Sequence, residues 1–264
     1  METQRAVVVF SGGQDSTTCL YWALAQGWDV DAITFNYGQR HKVEIEAAIK
    51  IFEMAYQAYP FQLGAHKKVY LPEGILESTS PLISDNVLEQ YDNHSVLPKG
   101  LEKTFVPMRN QLFLTLAANR AYAIGSRILV TGVCQEDNGG YPDCRQVFIN
   151  EVQDACNSGT FTGQDGALGN LKIHTPLMNL TKAESVHLAM KLPGCMEALA
   201  FSHTAYDGAY PPIGHDHATL LRAKGFEEAN ISDPLVVRAW REGLMPLPDS
   251  HNYDSLRNFN VPLN

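Results

Sequence analysis

A chain of 264 residues with 45% hydrophobic and 19% charged residues has the composition of an ordinary soluble globular protein, long enough for one large domain or two small ones. Its formal net charge of -9 and the lack of any Lys/Arg run argue against nonspecific binding to nucleic acid or an anionic membrane. No apolar stretch reaches the roughly 20 residues of a membrane span. The cysteines Cys19, Cys134, Cys144, Cys156 and Cys195 are scattered, odd in number and without a C-x-x-C, which favours a reducing cytoplasm over a disulfide framework.

The chain opens on a β-branched apolar run, Ala6 to Phe10, that reads as a buried strand. A strand starting this early, with a polar turn after it, does not read as a signal peptide. Ser11-Gly12-Gly13-Gln14-Asp15-Ser16 follows, then a stretch from Thr17 to Ala25 with helical apolar spacing that stops at Gly27. Strand, glycine-rich turn and helix together put free backbone N–H groups and the positive end of a helix dipole at one place, where an anion binds. Asp29 to Phe35 reads as a second strand, and the polar Asn36-Tyr37-Gly38-Gln39-Arg40-His41 lies at its C-terminal end, where ligand crevices form in open α/β sheets. Lys42 to Tyr56 has helical spacing. A short strand is expected at Val69-Tyr70-Leu71, and Pro72 to Leu101 reads as a long loop, long enough for a lid, a substrate loop or an interface segment.

Thr104-Phe105-Val106-Pro107-Met108-Arg109-Asn110 ends this loop. A helix is expected over Gln111 to Ile124, a strand over Arg127 to Val133, and a polar connection from Gln135 to Arg145 containing Asp137 and Asp143. Gln146 to Asn157 reads as a helix and Leu171 to Leu177 as a strand. Thr181-Lys182-Ala183-Glu184 reads as a capping box that opens a helix to about Lys191. The alternation predicts an α/β fold, a doubly wound and mostly parallel Rossmann-like sheet over residues 1–200. Residues 201–264, with a helix at about Ala218 to Ala229 and a Pro- and Asn-rich tail, read as a small C-terminal appendage.

The string S-G-G-x-D-S lacks residues that the dinucleotide and Walker motifs need. It resembles the pyrophosphate loop of the adenylating ATP pyrophosphatases, the group that includes GMP synthetase and asparagine synthetase. With Tyr37 to His41, Val106 to Asn110, Gly139-Gly140-Tyr141-Pro142-Asp143-Cys144-Arg145 and His174-Thr175-Pro176-Leu177 in register, the chain resembles the 7-cyano-7-deazaguanine synthases of the queuosine pathway from about Ala6 to Pro234.

That resemblance implies conversion of 7-carboxy-7-deazaguanine, ammonia and ATP to the nitrile, through an acyl-adenylate and an amide, with magnesium sharing the phosphate charge. It implies nucleotide contacts at Phe10, Ser11, Gly12, Gly13, Gln14, Asp15, Ser16, Thr17, Tyr37, Gln39, Arg109, Thr131 and Gly132. Asp15, Arg40, Arg109, Asp137 and Asp143 are the candidates for catalysis. Asp15 is a candidate to hold magnesium or orient the loop, the two arginines to grip phosphate or carboxylate, and Asp137 and Asp143 to accept from the guanine-like edge. Surface ion pairing is the ordinary role of each acid or arginine taken alone, and Cys144 and His174 read equally well as structural residues. The resemblance also implies a cytoplasmic homodimer acting on small molecules, with no nucleic-acid or membrane partner.

The chain departs from the family at four positions. The family holds zinc with four cysteines where this chain carries Ala205, Ile213, Asp216 and Thr219, so a thiolate site cannot form. Zinc is therefore expected to be absent, with packing in its place; the competing reading is a replacement site from His203, His215, Asp216 and His217. Alternative functions are a related amidase that stops at the amide, a tRNA-thiolating enzyme, disfavoured by the cysteine pattern and the negative charge, and an ATP-binding homologue without catalysis.

Overall fold

The structure is a computed structural model that describes residues 4–38, 43–92, 101–135, 141–161, 170–206 and 208–258. Five strands form one sheet: β1 (Arg5–Val9), β2 (Asp29–Asn36), β3 (Leu63–Tyr70), β4 (Ile128–Val130) and β5 (Lys172–His174). Their order is β3-β2-β1-β4-β5, and every neighbouring pair is parallel. The chain runs outward from β1 through β2 to β3, then returns to the other side of β1 for β4 and β5. The sheet's switch point therefore falls between β1 and β4, where open α/β sheets bind ligands.

Both faces of the sheet are covered, which is why β1 is an unbroken apolar run. Ala6 and Val8 face one way, into a core with α1 (Gln14–Ala25), α2 (Val43–Ala58), α5 (Lys182–Met190), α6 (Cys195–Leu199) and α7 (His217–Glu228). Val7 faces the other way, with Leu129, against α3 (Arg109–Ala123) and α4 (Gln146–Cys156). The alternation is the period of two of a strand, each face in its own core. Phe226 of α7 is fully buried in the first core, and Arg222 of α7 makes a bidentate pair with Asp233, which caps α8 (Pro234–Arg241). A short α9 (Asp254–Arg257) ends the described chain. The region after residue 200 thus contributes to the core that supports β1.

The capping box at α5 forms as expected: the Thr181 hydroxyl accepts from Glu184 N at 3.1 Å, and the Glu184 carboxylate accepts from Thr181 N at 2.8 Å. The described residues between 71 and 108 form turns and bends, as the loop reading expected. β3 is longer than the three-residue strand expected. It is an edge strand, largely exposed, and its Gly-Ala-His-Lys-Lys run carries no apolar alternation to announce it. A bulge between Val30 and Ala32 sets its register, and Asp31 bridges the gap by accepting from Ala65 N at 2.9 Å. β4 and β5 are each shorter than the apolar runs that contain them. α8 was not expected, although Asp233 with Pro234 is a sound helix start.

Candidate active site

The turn after β1 is built by close contact. Gly12 has φ of +85°, and a Cβ on it would stand 2.6 Å from Ala48 N and 2.8 Å from Glu44 O, both in α2. Only glycine allows the turn both its left-handed backbone and its contact with α2. The two serines tie the turn to itself: Ser11 Oγ lies 3.0 Å from Ser16 Oγ, Ser11 N donates to Ser16 Oγ at 3.2 Å, and Gly13 N donates to Ser11 Oγ at 3.3 Å. α1 begins at Gln14 with Gly13 as its cap residue, and no side chain caps its first turn. Its leading N–H groups, which no helical carbonyl can serve, are left for a ligand. From the other side β4 delivers Thr131 and Gly132. A Cβ on Gly132 would sit 3.0 Å from Asp15 C and 3.1 Å from Ser16 N, so this glycine also marks a close approach.

Lys182, the first residue of α5, reaches this turn. Its Nζ lies 2.9 Å from each carboxylate oxygen of Asp15. The lysine stem crosses α7 at Gly225, where a Cβ would come within 2.3 Å of Lys182 Cγ. The sequence reading did not single out Lys182; its place at the start of a capped helix was the available signal.

The opposite wall is organised by Arg109, the first residue of α3. It follows Met108, a non-glycine residue held at φ 65°. Arg109 donates to the Tyr37 hydroxyl oxygen. Burial disfavours the guanidinium charge, but the oxygens of Tyr37, Tyr141, Asp143 and Tyr206 around it more than offset that and hold it charged. Burial raises the three phenols as well, Tyr141 to about 12, so all of them stay neutral donors. Tyr206 hydrogen-bonds Tyr141, which reaches Thr104 and, at 3.4 Å, Glu102. Burial pushes the Cys144 thiol up to about 12, which removes it as a thiolate nucleophile.

These walls enclose a cavity of about 350 Å³. Of the residues singled out from the sequence, Phe10, Ser11, Gly13, Gln14, Asp15, Ser16, Tyr37, Arg109, Thr131 and Gly132 line it. Gly12, within the turn, and Thr17, in α1, are buried. Asp143 is buried in a 3-10 turn over Pro142–Cys144, beside Arg109, with its Oδ2 unpaired. Gln39, Arg40 and Asp137 lie outside the described residues. The cavity also takes in Glu44, Lys182, Tyr206 and His217, none of which the sequence reading placed there.

The residues of the alternative zinc site each have hydrogen-bond or ion-pair partners in this structure. Asp216 is buried as the cap of α7: it accepts from Thr219 N at 2.9 Å, from Thr219 Oγ1 at 3.2 Å and from Tyr206 N at 3.1 Å. His203 Nε2 sits 2.8 Å from Ala205 O, His215 Nδ1 sits 3.2 Å from Tyr91 O, and His217 Nδ1 lies 3.0 Å from Glu102. Among the described residues no group of three or more His, Cys, Asp and Glu is placed to hold a metal. The loop is tied instead to the middle segment, through Tyr91 N to His215 O, His215 N to Gln90 and the Glu102–His217 pair.

Fold and site together define an α/β protein with a glycine-rich turn and an uncapped helix start at the switch point of a parallel sheet. The sequence pattern described as "Queuosine biosynthesis protein QueC" matches residues 5–230, and the chain belongs to that family. Relatives named 7-cyano-7-deazaguanine synthase are 46% identical in Gloeobacter violaceus, over 88% of this chain and 95% of the relative. The same name is carried at 46% identity in Chromobacterium violaceum, over 90% and 96%, and at 40% in Bacillus subtilis, over 86% and 96%. Solved structures resemble it more loosely. A 4-thiouridine synthetase in complex with RNA matches 82% of this chain and 45% of its own at 17% identity and a TM-score of 0.44. A tRNA thiolase from Methanococcus maripaludis matches 92% and 73% at 15% and 0.42. Among the described residues no helix is long and apolar enough to cross a membrane.

Proposed function

We propose that this protein uses ATP to convert 7-carboxy-7-deazaguanine and ammonia into 7-cyano-7-deazaguanine, through an acyl-adenylate and an amide. The observation that carries the reading is one cavity that holds an uncapped helix start, a lysine and an arginine, at the β1/β4 switch point. A nucleotide triphosphate fits what is there. The first-turn N–H groups of α1 and the Lys182 ammonium supply donors and charge for pyrophosphate. Gln14 lines the cavity, and its amide oxygen and nitrogen are buried without a hydrogen-bond partner.

The chain's own residues then divide the work. The turn and Lys182 hold the leaving pyrophosphate as the substrate carboxylate displaces it from the α-phosphorus. Arg109 grips the carboxylate or the phosphate, and the neutral phenols of Tyr37, Tyr141 and Tyr206 narrow the cavity against water. Magnesium binds through one or two carboxylates together with phosphate oxygens. Asp15, beside the turn, is the residue that would hold it, and the ion when bound would neutralise phosphate charge.

Oxygen-18 in the substrate carboxylate tests the adenylate. Label appearing in AMP supports the reading; ADP formation, with label in inorganic phosphate, overturns it. Accumulation of the amide with no nitrile would support the shorter reaction.

A further inference from the structure

Glu44 is the carboxylate in the cavity that the reaction above leaves without a task. It sits in the first turn of α2, half-buried, and among the described residues its carboxyl makes no hydrogen bond or ion pair. Its place is fixed by the pyrophosphate turn, because Gly12 packs directly against the Glu44 carbonyl and Ala48 N. It faces Arg109 and Tyr37, the groups that flank the expected position of the activated carboxyl. Asp15, the other carboxylate on the cavity wall among the described residues, is ion-paired with Lys182 and is the residue assigned to magnesium above.

We propose that Glu44 is the proton acceptor for the attacking nitrogen. This inference rests on the acyl-adenylate reading. Ammonia forms the new C–N bond with its lone pair, giving a tetrahedral centre that carries a cationic nitrogen. Glu44 takes one proton from that nitrogen. The C–O bond to the phosphate then breaks, its electron pair leaves with AMP, and the amide remains; the proton on Glu44 passes to water.

The electrostatics suit the task. Burial raises the Glu44 carboxyl to about 7, with the Arg109 charge opposing the shift. A base poised near the working pH transfers protons most effectively, and such a group contributes roughly 10²–10⁴-fold.

The test separates the two half-reactions in Glu44→Gln. Substrate-dependent exchange of labelled pyrophosphate into ATP reads adenylation and also reports that the variant is folded. The expected result is exchange within about threefold of the parent, while amide and nitrile formation fall on the order of 10²-fold or more. Hydroxylamine, largely unprotonated near neutral pH and a stronger nucleophile, should show a smaller defect, and Glu44→Asp should recover part of the loss with ammonia. A parallel fall in exchange and amide formation, or an unchanged rate of amide formation, overturns the assignment. Absence of substrate-dependent exchange in the parent protein overturns the adenylate reading itself, and Glu44's role with it.

Discussion

Lys182 and Asp15, 167 residues apart in the chain, meet with the lysine Nζ 2.9 Å from both carboxylate oxygens. The pair joins the start of α5 to the start of α1 and sets a positive charge beside the glycine-rich turn. Replacing Lys182 with Met keeps the stem that packs over Gly225 and removes the charge. Pyrophosphate release should fall on the order of 10²-fold or more, the usual cost of losing one charge-stabilising donor, with the parent's circular dichroism spectrum retained. Release within a few-fold of the parent would make the lysine a purely structural partner of Asp15.

Met108 sits at φ 65° immediately before Arg109 and is largely exposed. A left-handed backbone costs a non-glycine residue about 1–2 kcal/mol. Met108→Gly should therefore raise stability by about 0.5–1 kcal/mol, after the glycine's greater freedom in the unfolded chain is counted. Met108→Val, with a branched Cβ in the same conformation, should lower it by about 1 kcal/mol or more. Denaturant midpoints of the two variants check the sign of both.

What could be read from the sequence was local. The Ser11–Ser16 turn, the α5 capping box and the α/β alternation each rest on residues within a few positions of one another. What could not be read depends on contacts between distant residues. Lys182 belongs to the site only because Gly225 lets it cross α7. β3 forms because β2 offers an edge, with no apolar pattern of its own. Asp216 reads from the sequence as a candidate metal ligand, and only its contacts to Thr219 and Tyr206 N show it to be the cap of α7. Asp143 falls within a matching motif, and the structure places it buried beside Arg109, a contact between residues 34 positions apart.

The loop that resembles a zinc site should not need a metal. Purified protein should hold far less than one zinc per chain, and a chelator should leave its thermal midpoint unchanged. Asp216→Ala should lower stability by about 1–2 kcal/mol through loss of the α7 cap. One zinc per chain, or a midpoint that drops on chelation, would contradict the tie through Gln90, Tyr91 and Glu102.

His66 makes stability depend on pH. Its Nε2 is 2.8 Å from Thr34 Oγ1, which donates to Phe10 O at the entrance to the turn, and its ring stacks on Phe52. Burial, with a smaller effect from Lys68, lowers the imidazole from 6.5 to about 4. Between those values the unfolded chain binds a proton that the folded one does not. The contribution is full above about 6.5 and is lost as pH falls toward 4, by at most about 3 kcal/mol. Unfolding curves at about pH 7 and pH 5 should differ less for His66→Gln than for the parent; an equal difference would show that His66 is not the source.

The most direct measurement is product analysis. The protein is incubated with ATP, magnesium, ammonium and 7-carboxy-7-deazaguanine, and products are identified by mass. The account predicts AMP, pyrophosphate and 7-cyano-7-deazaguanine, all dependent on the carboxylate substrate. ATP left intact, or cleaved equally with and without that substrate, would contradict it.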